Sequence, residues 1–418
     1  MAHFCLFRKI DELLTMTPLA AKDGRRPQEV DLGLVEEGAV LIENGHIRWA
    51  GQEKELSSHL IKSLVGKSSL EEVSGQGKTL IPALVESHTH LVFAGSRAHE
   101  FEMRVKGATY QEIAEAGGGI RSTVKHTREA DEKTLFNLAK ERVDEFARQG
   151  VGTLEIKSGY GLDTETELKM LRVAGKLKGP RILRTFLGPH AVGPEFSSSE
   201  EYLKEVTEKM LPAVSKEELA SRVDIFVEQG YFTLEQGEAY YNRAQSMGYA
   251  LTGHMEQMNR TGGAVMAARL GAQSVDHLVQ VTPEDIEALA KSHTTCVLLP
   301  TADLYLRMAY PPARQLIDAG ARVALATDFN PGSAPSQDLS LVGVLARLEM
   351  RMTLPEVLAA YTYNGAAALG LQDQCGSIEA EKSADLALIE GSWRDLFYQV
   401  GHHPVVETWA KGKRIHQK

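Results

Sequence analysis

Several things are scarce in this chain, and each shortage closes a class of function. Cysteine is nearly missing: Cys5, Cys296 and Cys375 are the only three in 418 residues, and no C-x-x-C pair occurs. That excludes a disulfide framework, a zinc ribbon and a dithiol redox motif, and fits a reducing cytoplasm. No apolar run reaches spanning length, and "MAHFCLFRKI" has neither an extended apolar stretch nor a cleavage site, so no membrane span or targeting segment is expected. Long basic runs are absent and the formal net charge is -10, which gives nucleic acid and anionic membranes no electrostatic reason to bind. There is no G-x-S-x-G turn, and Cys296 in "TTCVLLP" has apolar neighbours, so serine or cysteine nucleophiles are not expected. "AGGGIRST" lacks the Gly-Lys-Ser/Thr of a phosphate-binding loop, and its glycines at 117–119 read as a mobile loop over a site. What remains is a soluble protein that works on small molecules.

What is present is the material for a large core, with 43% hydrophobic and 24% charged residues. The first eighty or so residues read as β-rich: in "AVLIENGHIRWAG" two apolar runs flank Asn44-Gly45, a dipeptide that favours a type I′ hairpin. The far end reads alike, because "GSIEAEKSADLALIEG" and "VVETWAKGKRI" are short β-like stretches after a helical segment at about 353–369. The two ends are expected to pair, residues 1–80 with 371–418 forming a small composite β-sandwich-like domain around a catalytic domain at 81–370.

In the middle, short apolar runs alternate with helical periodicity. "TLIPALVESHTHLVF", "VGTLEIKSGYG", "RILRTFLGPH", "VDIFVEQG", "YALTGHMEQ", "AQSVDHL", "TTCVLLP" and "RVALATDFNPG" make eight strands. Asp131 to Gln149 reads as one intervening helix, with Leu135, Leu138, Ala139, Val143, Phe146 and Ala147 on one face, and Thr282-Pro283 opens another. Eight β/α units are the arithmetic of a (β/α)8 barrel, although a doubly wound open sheet gives a similar alternation.

The polar residues favour the barrel, whose chemistry sits at the C-terminal ends of its strands. His88 and His90 close the first strand, Lys157 and Tyr160 the second, His190 the third, His254 the fifth, His277 the sixth and Asp328 the eighth. In "LVESHTH" the two histidines stand one residue apart, so on an extended strand they point the same way and can chelate. A catalytic zinc or iron ion takes three or four imidazole and carboxylate ligands with one position open to water. His88, His90, His254 and Asp328 supply that set. Asp328 can also accept a proton from the water, and His277 is then free to polarise a substrate carbonyl or shuttle a proton.

With H-x-H on the first strand and an Asp ending the eighth, the chain resembles the metal-dependent amidohydrolase superfamily. "HTHLVFAGSRAHEF", "EIKSGYGL", "LGPHAVGPEF", "GHMEQM", "DHL" and "TDFNPGS" extend the resemblance over nearly its whole length, to the members that open the cyclic amide of histidine degradation. One departure is "IPALVESHTH", with Ala83 and Glu86 where the superfamily usually has Gly and Asp. The resemblance implies hydrolysis of 4-imidazolone-5-propanoate to N-formimidoyl-L-glutamate at one divalent metal ion, zinc or iron, by attack of metal-bound hydroxide on the ring carbonyl. It implies substrate contacts at Arg97, Tyr160, His190, Gln257, Asn330, Gly332 and Ser333. Arg97 offers a bidentate fork to the propionate, whereas Asn330-Pro331-Gly332 also reads as an ordinary turn. Gln257, an amide, orients the ring but cannot act as a base, which leaves proton transfer to Asp328 and His277. Lys157 has two readings, a structural or electrostatic residue, or a carboxylated bridge between two metals. A deaminase would need a Glu where Gln257 stands, and a non-catalytic scaffold would have lost a metal ligand. A homodimer is expected from the frequency of that arrangement alone.

Overall fold

The computed structural model of the protein describes residues 3–66, 68–108, 112 and 118–418. At the N-terminus, β1 (His3–Leu14) is apolar on both faces in its first half. Because successive side chains point opposite ways, Cys5 and Phe7 join Val40, Ile42, Leu80, Leu388 and Trp409 in one core. Phe4 and Leu6 join Ala39 and Leu41 in another, closed by Leu56 and Val65, the latter at the end of the helix Ser58–Val65. The Asn44-Gly45 turn joins β2 (Leu34–Glu43) to β3 (His46–Gln52) as expected, with φ of 50° and 86° at its two residues. β1 bulges between Phe7 and Ile10, where Lys9 has φ 55°. That bend lets one strand pair in parallel first with β4 (Ser69–Ser74) and then with β5 (Lys78–Pro82).

The barrel follows. Its strands are β6 (Leu84–Glu86), β7 (Val151–Lys157), β8 (Arg181–Phe186), β9 (Arg222–Val223) resumed as β10 (Phe226–Val227), β11 (Ala250–Leu251) resumed as β12 (His254–Met255), β13 (Ser274–His277), β14 (Thr295–Leu298) and β15 (Arg322–Leu325). They pair in parallel as β6-β7-β8-β9-β11 and β10-β12-β13-β14-β15, the two interrupted strands belonging to both halves. The ring closes between the first and eighth strands: the His90 N–H donates to the Phe329 carbonyl at 2.9 Å, and Thr89 bridges Phe329. Glu86 reinforces this closure, since its buried carboxyl group accepts from the Thr327 N–H at 3.1 Å and the His88 N–H at 3.2 Å. Desolvation raises that carboxyl to about 8.

The stretch read from sequence as a single first strand is two strands in two sheets, divided at Ala83. The Ala83 N–H goes to Asp385 at 2.9 Å and the Leu84 N–H to Gly150 at 2.8 Å, so one residue carries the chain from the outer sheet to the barrel. An uninterrupted apolar run cannot reveal such a switch, because both sheets bury both faces there.

The chain then returns: β16 (Leu386–Glu390), β17 (Val405–Ala410) and β18 (Lys413–Gln417) complete the outer sheet in the order β18-β17-β16-β5-β1-β2-β3. Leu386 and Leu388 face its core, and Ala387 and Ile389 face the barrel. The helix at 353–369 is divided into Leu354–Tyr361 and Tyr363–Ala368 at Thr362, whose hydroxyl bonds back to Leu358 at 2.7 Å. The helices Glu132–Arg148, capped by Asp131, and Pro283–Lys291, capped by Thr282, stand where the periodicity puts them.

Candidate active site

At the C-terminal mouth of the barrel the strands must turn sharply, and Glu256 (φ 50°), His277 (φ 79°), Leu278 (φ 60°) and Asp328 (φ 53°) do so in the left-handed region. Such backbone costs of order 1–3 kcal/mol per residue and persists where the surroundings overdetermine it. The turns bring together side chains from the first, fifth, sixth and eighth strands. His88, His90, His254, His277 and Asp328 are all at most 3% exposed.

Their facing atoms are spaced as ligands of one ion. The Nε2 atoms of His88 and His90 are 3.3 Å apart, as are those of His90 and His254, and Asp328 Oδ1 is 3.4 Å from the Nε2 of both His88 and His90. Four tetrahedral ligands about 2.0–2.1 Å from a zinc ion stand roughly 3.3–3.4 Å from one another. The far sides of two rings fix the tautomer. His88 Nδ1 lies 2.7 Å from Asp276 Oδ2 and His254 Nδ1 lies 3.0 Å from Asp224 Oδ1, so each donates there and turns a bare Nε2 lone pair inward. Bare acceptors facing one another repel unless a cation lies between them, and the donor set therefore fits a divalent metal. His277 groups with His88 and His254, its Nδ1 is buried without a partner, and burial lowers its imidazole to about 3.

Around this centre lie the expected substrate contacts. Arg97, 15% exposed, bonds Glu100 at 2.8 Å and lies flat on the loop after Asp328. A Cβ on Gly332 would come within 1.9 Å of its guanidinium, which is why that position lacks a side chain. His190 stacks on His90 at 4.9 Å between ring centroids and bonds the Gly159 carbonyl at 3.0 Å, and the buried Tyr160 ring leans on both histidines. Asn330 behaves as the turn reading has it: its amide donates to Asp328 O and Ser333 Oγ, and its oxygen accepts from the Gly332 and Ser333 N–H groups. Glu256 is turned away, with its carboxylate accepting from the backbone of Thr261, Gly263 and Ala264 and from the Thr261 hydroxyl. Gln257 beside it is 8% exposed. In the glycine-rich segment, Gly117 lies outside the described residues. Gly118 and Gly119 are buried and do not form an open loop, because Gly119 donates to Glu100 at 3.0 Å and precedes the helix Ile120–Glu129. Cys296 is the inert core thiol expected, raised by burial to about 12.

A model of the amidohydrolase family matches residues 79–415. The imidazolonepropionase of Bdellovibrio bacteriovorus is 52% identical over 410 residues, covering 98% of this chain and 96% of that one. That of Shewanella oneidensis is 45% identical over 391 residues, covering 92% and 94%. The chain belongs to the imidazolonepropionases of the amidohydrolase family. Membership makes it a hydrolase. Solved structures share the fold at low identity: an adenosine deaminase of Xanthomonas campestris with bound zinc (18% identical, TM-score 0.69, covering 98% and 92%) and a triazine hydrolase variant (17%, TM-score 0.71, 98% and 94%).

Sequence reasoning missed the layer beneath the histidines. Glu155, Asp224 and Asp276 are fully buried and surround Lys157, whose Nζ stands 2.9, 2.8 and 3.4 Å from them. Burial works against the lysine charge, but Asp224, Glu155 and Asp276 outweigh it and hold the ammonium above the ordinary lysine range. Glu155 also accepts from Thr185 and stands 3.3 Å from the buried Arg222 guanidinium. The signal was a single acid inside an apolar strand, in "TLEIK", "VDIF" and "SVDH". A buried charge of that kind needs a partner. Asp303, 1% exposed after the seventh strand, was missed too, and burial raises its carboxyl to about 8.

Proposed function

We propose that this site hydrolyses 4-imidazolone-5-propanoate to N-formimidoyl-L-glutamate. The reading is carried by one juxtaposition: His90 Nε2 3.3 Å from those of His88 and His254, and Asp328 Oδ1 3.4 Å from those of His88 and His90, beside an arginine laid on the loop that follows Asp328. His88, His90, His254 and Asp328 would hold a divalent ion, which would supply a water acidified to a pKa of about 7 and a Lewis acid for the carbonyl. Asp328 would accept the proton of the attacking water. His277, neutral because it is desolvated, hydrogen-bonds the carbonyl oxygen and relays a proton to the ring nitrogen as the C–N bond breaks.

Arg97 takes the propionate, Tyr160, His190 and Gln257 orient the ring, and Gly332, Ser333 and the Asn330 turn hold the glutamate-like end. Glu256 is committed to backbone donors, so no carboxylate is free in that segment for the base a deaminase needs. The absence of disulfides among three buried cysteines supports a cytoplasmic enzyme. No described helix is long and apolar enough to cross a membrane. Exposed Leu348, Tyr398 and Val400, flanking the Arg347–Phe397 contact, support a homodimer, which light scattering tests.

The test is a coupled assay. Urocanase generates the imidazolone in place, and this protein is added with and without chelator. Formation of N-formimidoyl-L-glutamate that chelator stops and zinc or iron(II) restores is expected, and elemental analysis names the ion. No acceleration by a metal-replete sample overturns the substrate. Full turnover by His277→Ala overturns the role of His277.

A further inference from the structure

We infer that Lys157 is a positioning residue of the metal centre: its ammonium ties Asp224 to Asp276 and so sets, through one cation, the orientation of both His254 and His88. The inference rests on the metal reading above and adds what holds the ligands in place.

The contacts form one unbroken path. From His88 Nδ1 it is 2.7 Å to Asp276 Oδ2, and from that same oxygen 3.4 Å to Lys157 Nζ. From the ammonium it is 2.8 Å to Asp224 Oδ2, and from that carboxylate's other oxygen 3.0 Å to His254 Nδ1. The path crosses the barrel interior from the first strand through the sixth, second and fourth to the fifth, and its carboxylates and ammonium are inaccessible to solvent. Asp276 depends on it most. Among the described residues its Oδ1 has no hydrogen-bond partner, so there His88 and Lys157 hold its carboxylate through Oδ2. Without the ammonium, Asp276 would be a buried anion held by the His88 ring, and Asp224 one held at Oδ1 alone, by the His254 N–H at 3.2 Å and Nδ1 at 3.0 Å, so both carboxylates would lose the contact that fixes the rings they orient.

Two other roles for this lysine fit less well. As a source of stability a buried ion cluster is poor, because apolar residues of the same volume usually do as well or better. As a carboxylated bridge between two metals, Lys157 would have to be an uncharged amine, whereas here it is an ammonium with three carboxylate neighbours. The charges agree. Glu155, Asp224 and Asp276 surround Lys157, and Arg222 stands beside Glu155, so these acids already have cationic partners without a second metal ion.

The test measures zinc binding without substrate, by competition with a chromophoric chelator, together with the visible spectrum of the cobalt(II)-loaded protein. Lys157→Met keeps the stem and removes the charge. Glu155→Gln/Lys157→Met removes one charge of each sign, so the cluster keeps its balance. Both are expected to bind zinc roughly 10- to 100-fold more weakly, the cost of losing an outer partner, and to shift the cobalt bands.

Wild-type affinity and spectrum in Lys157→Met overturn the inference while leaving the metal reading intact. Affinity restored in the double variant also overturns it, because charge balance and not positioning would then be the cause. Should the lysine variants fail to fold, Asp224→Asn and Asp276→Asn keep the lysine. Their combined loss of zinc affinity is expected to be smaller than the product of the separate losses, since both act through one ammonium, and multiplicative losses overturn the inference. A wild-type chain that takes up no divalent ion overturns the metal reading and this inference with it.

Discussion

In the outer sheet Cys5, Phe7, Ile10, Leu13, Val40, Leu388 and Trp409 pack into an apolar core, and the buried acid beside them, Glu407, accepts from Trp409 Nε1 and pairs with Arg414 at the edge. In the barrel the relation is reversed. Along β7, Leu154 and Ile156 lie in the apolar core, while Thr153, Glu155 and Lys157 occupy the opposite face. Both regions use the two-residue period of a strand, and both are equally dry. The sheet core stabilises the fold by apolar burial and serves nothing else. The upper barrel carries charges that would each cost stability if they lost their partners, and such an arrangement survives where chemistry requires it.

The comparison can be broken from either side. The largest effect is expected for Asp328→Ala, which removes a proposed ligand. Zinc content and turnover should both collapse, by more than the roughly 10- to 100-fold that loss of an outer partner costs, with the circular dichroism of the fold retained. Next comes Phe7→Ala, which empties a buried site stacked edge-on against Trp409 at 5.2 Å. It should cost about 3–5 kcal/mol in denaturant unfolding and leave kcat of the folded fraction unchanged. A fall in kcat would mean that sheet and site are mechanically joined.

Arg97→Gln should be milder, because it removes a charge-assisted bond worth about 1.5–3 kcal/mol. A rise in KM of roughly tenfold or more is expected, with kcat the less affected. Asp303→Asn tests stability against pH and not the chemistry. The folded carboxyl titrates near 8 and the unfolded one near 3.8, so the folded state keeps a proton that the unfolded state releases, and wild-type stability falls as pH rises between those values. The Asn variant lacks that slope. Its advantage in thermal unfolding should widen by roughly 1 kcal/mol per pH unit from pH 5 to pH 8, and a constant difference would show that Asp303 is already ionised.

Much of the site was legible because its residues end strands. His88, His90, His254, His277 and Asp328 each follow an apolar run, and a run followed by a ligand type is a local pattern. Asp224 and Asp276 lie inside such runs, where a lone acid in a short strand is indistinguishable from an edge position until the strand's neighbours are known. Asn330 could be read both ways from its turn chemistry, and only the four bonds of its amide show the turn occupying it. The division at Ala83 was invisible for the same reason, as hydropathy does not record which sheet a buried strand joins.

By itself, then, the sequence determined the number and order of the barrel strands, the helix from Asp131 to Gln149, the helix cap at Thr282, the hairpin at Asn44-Gly45 and the proposed ligand residues' place at the strand ends, because periodicity, capping and turn chemistry act over a few residues. Only the tertiary structure decided that Lys157 is an ammonium among carboxylates, that Glu256 is turned away from the mouth, and that Gly332 exists to receive Arg97. Those outcomes depend on which groups from distant strands share a dry interior, and there the nearest partner sets a residue's charge and direction.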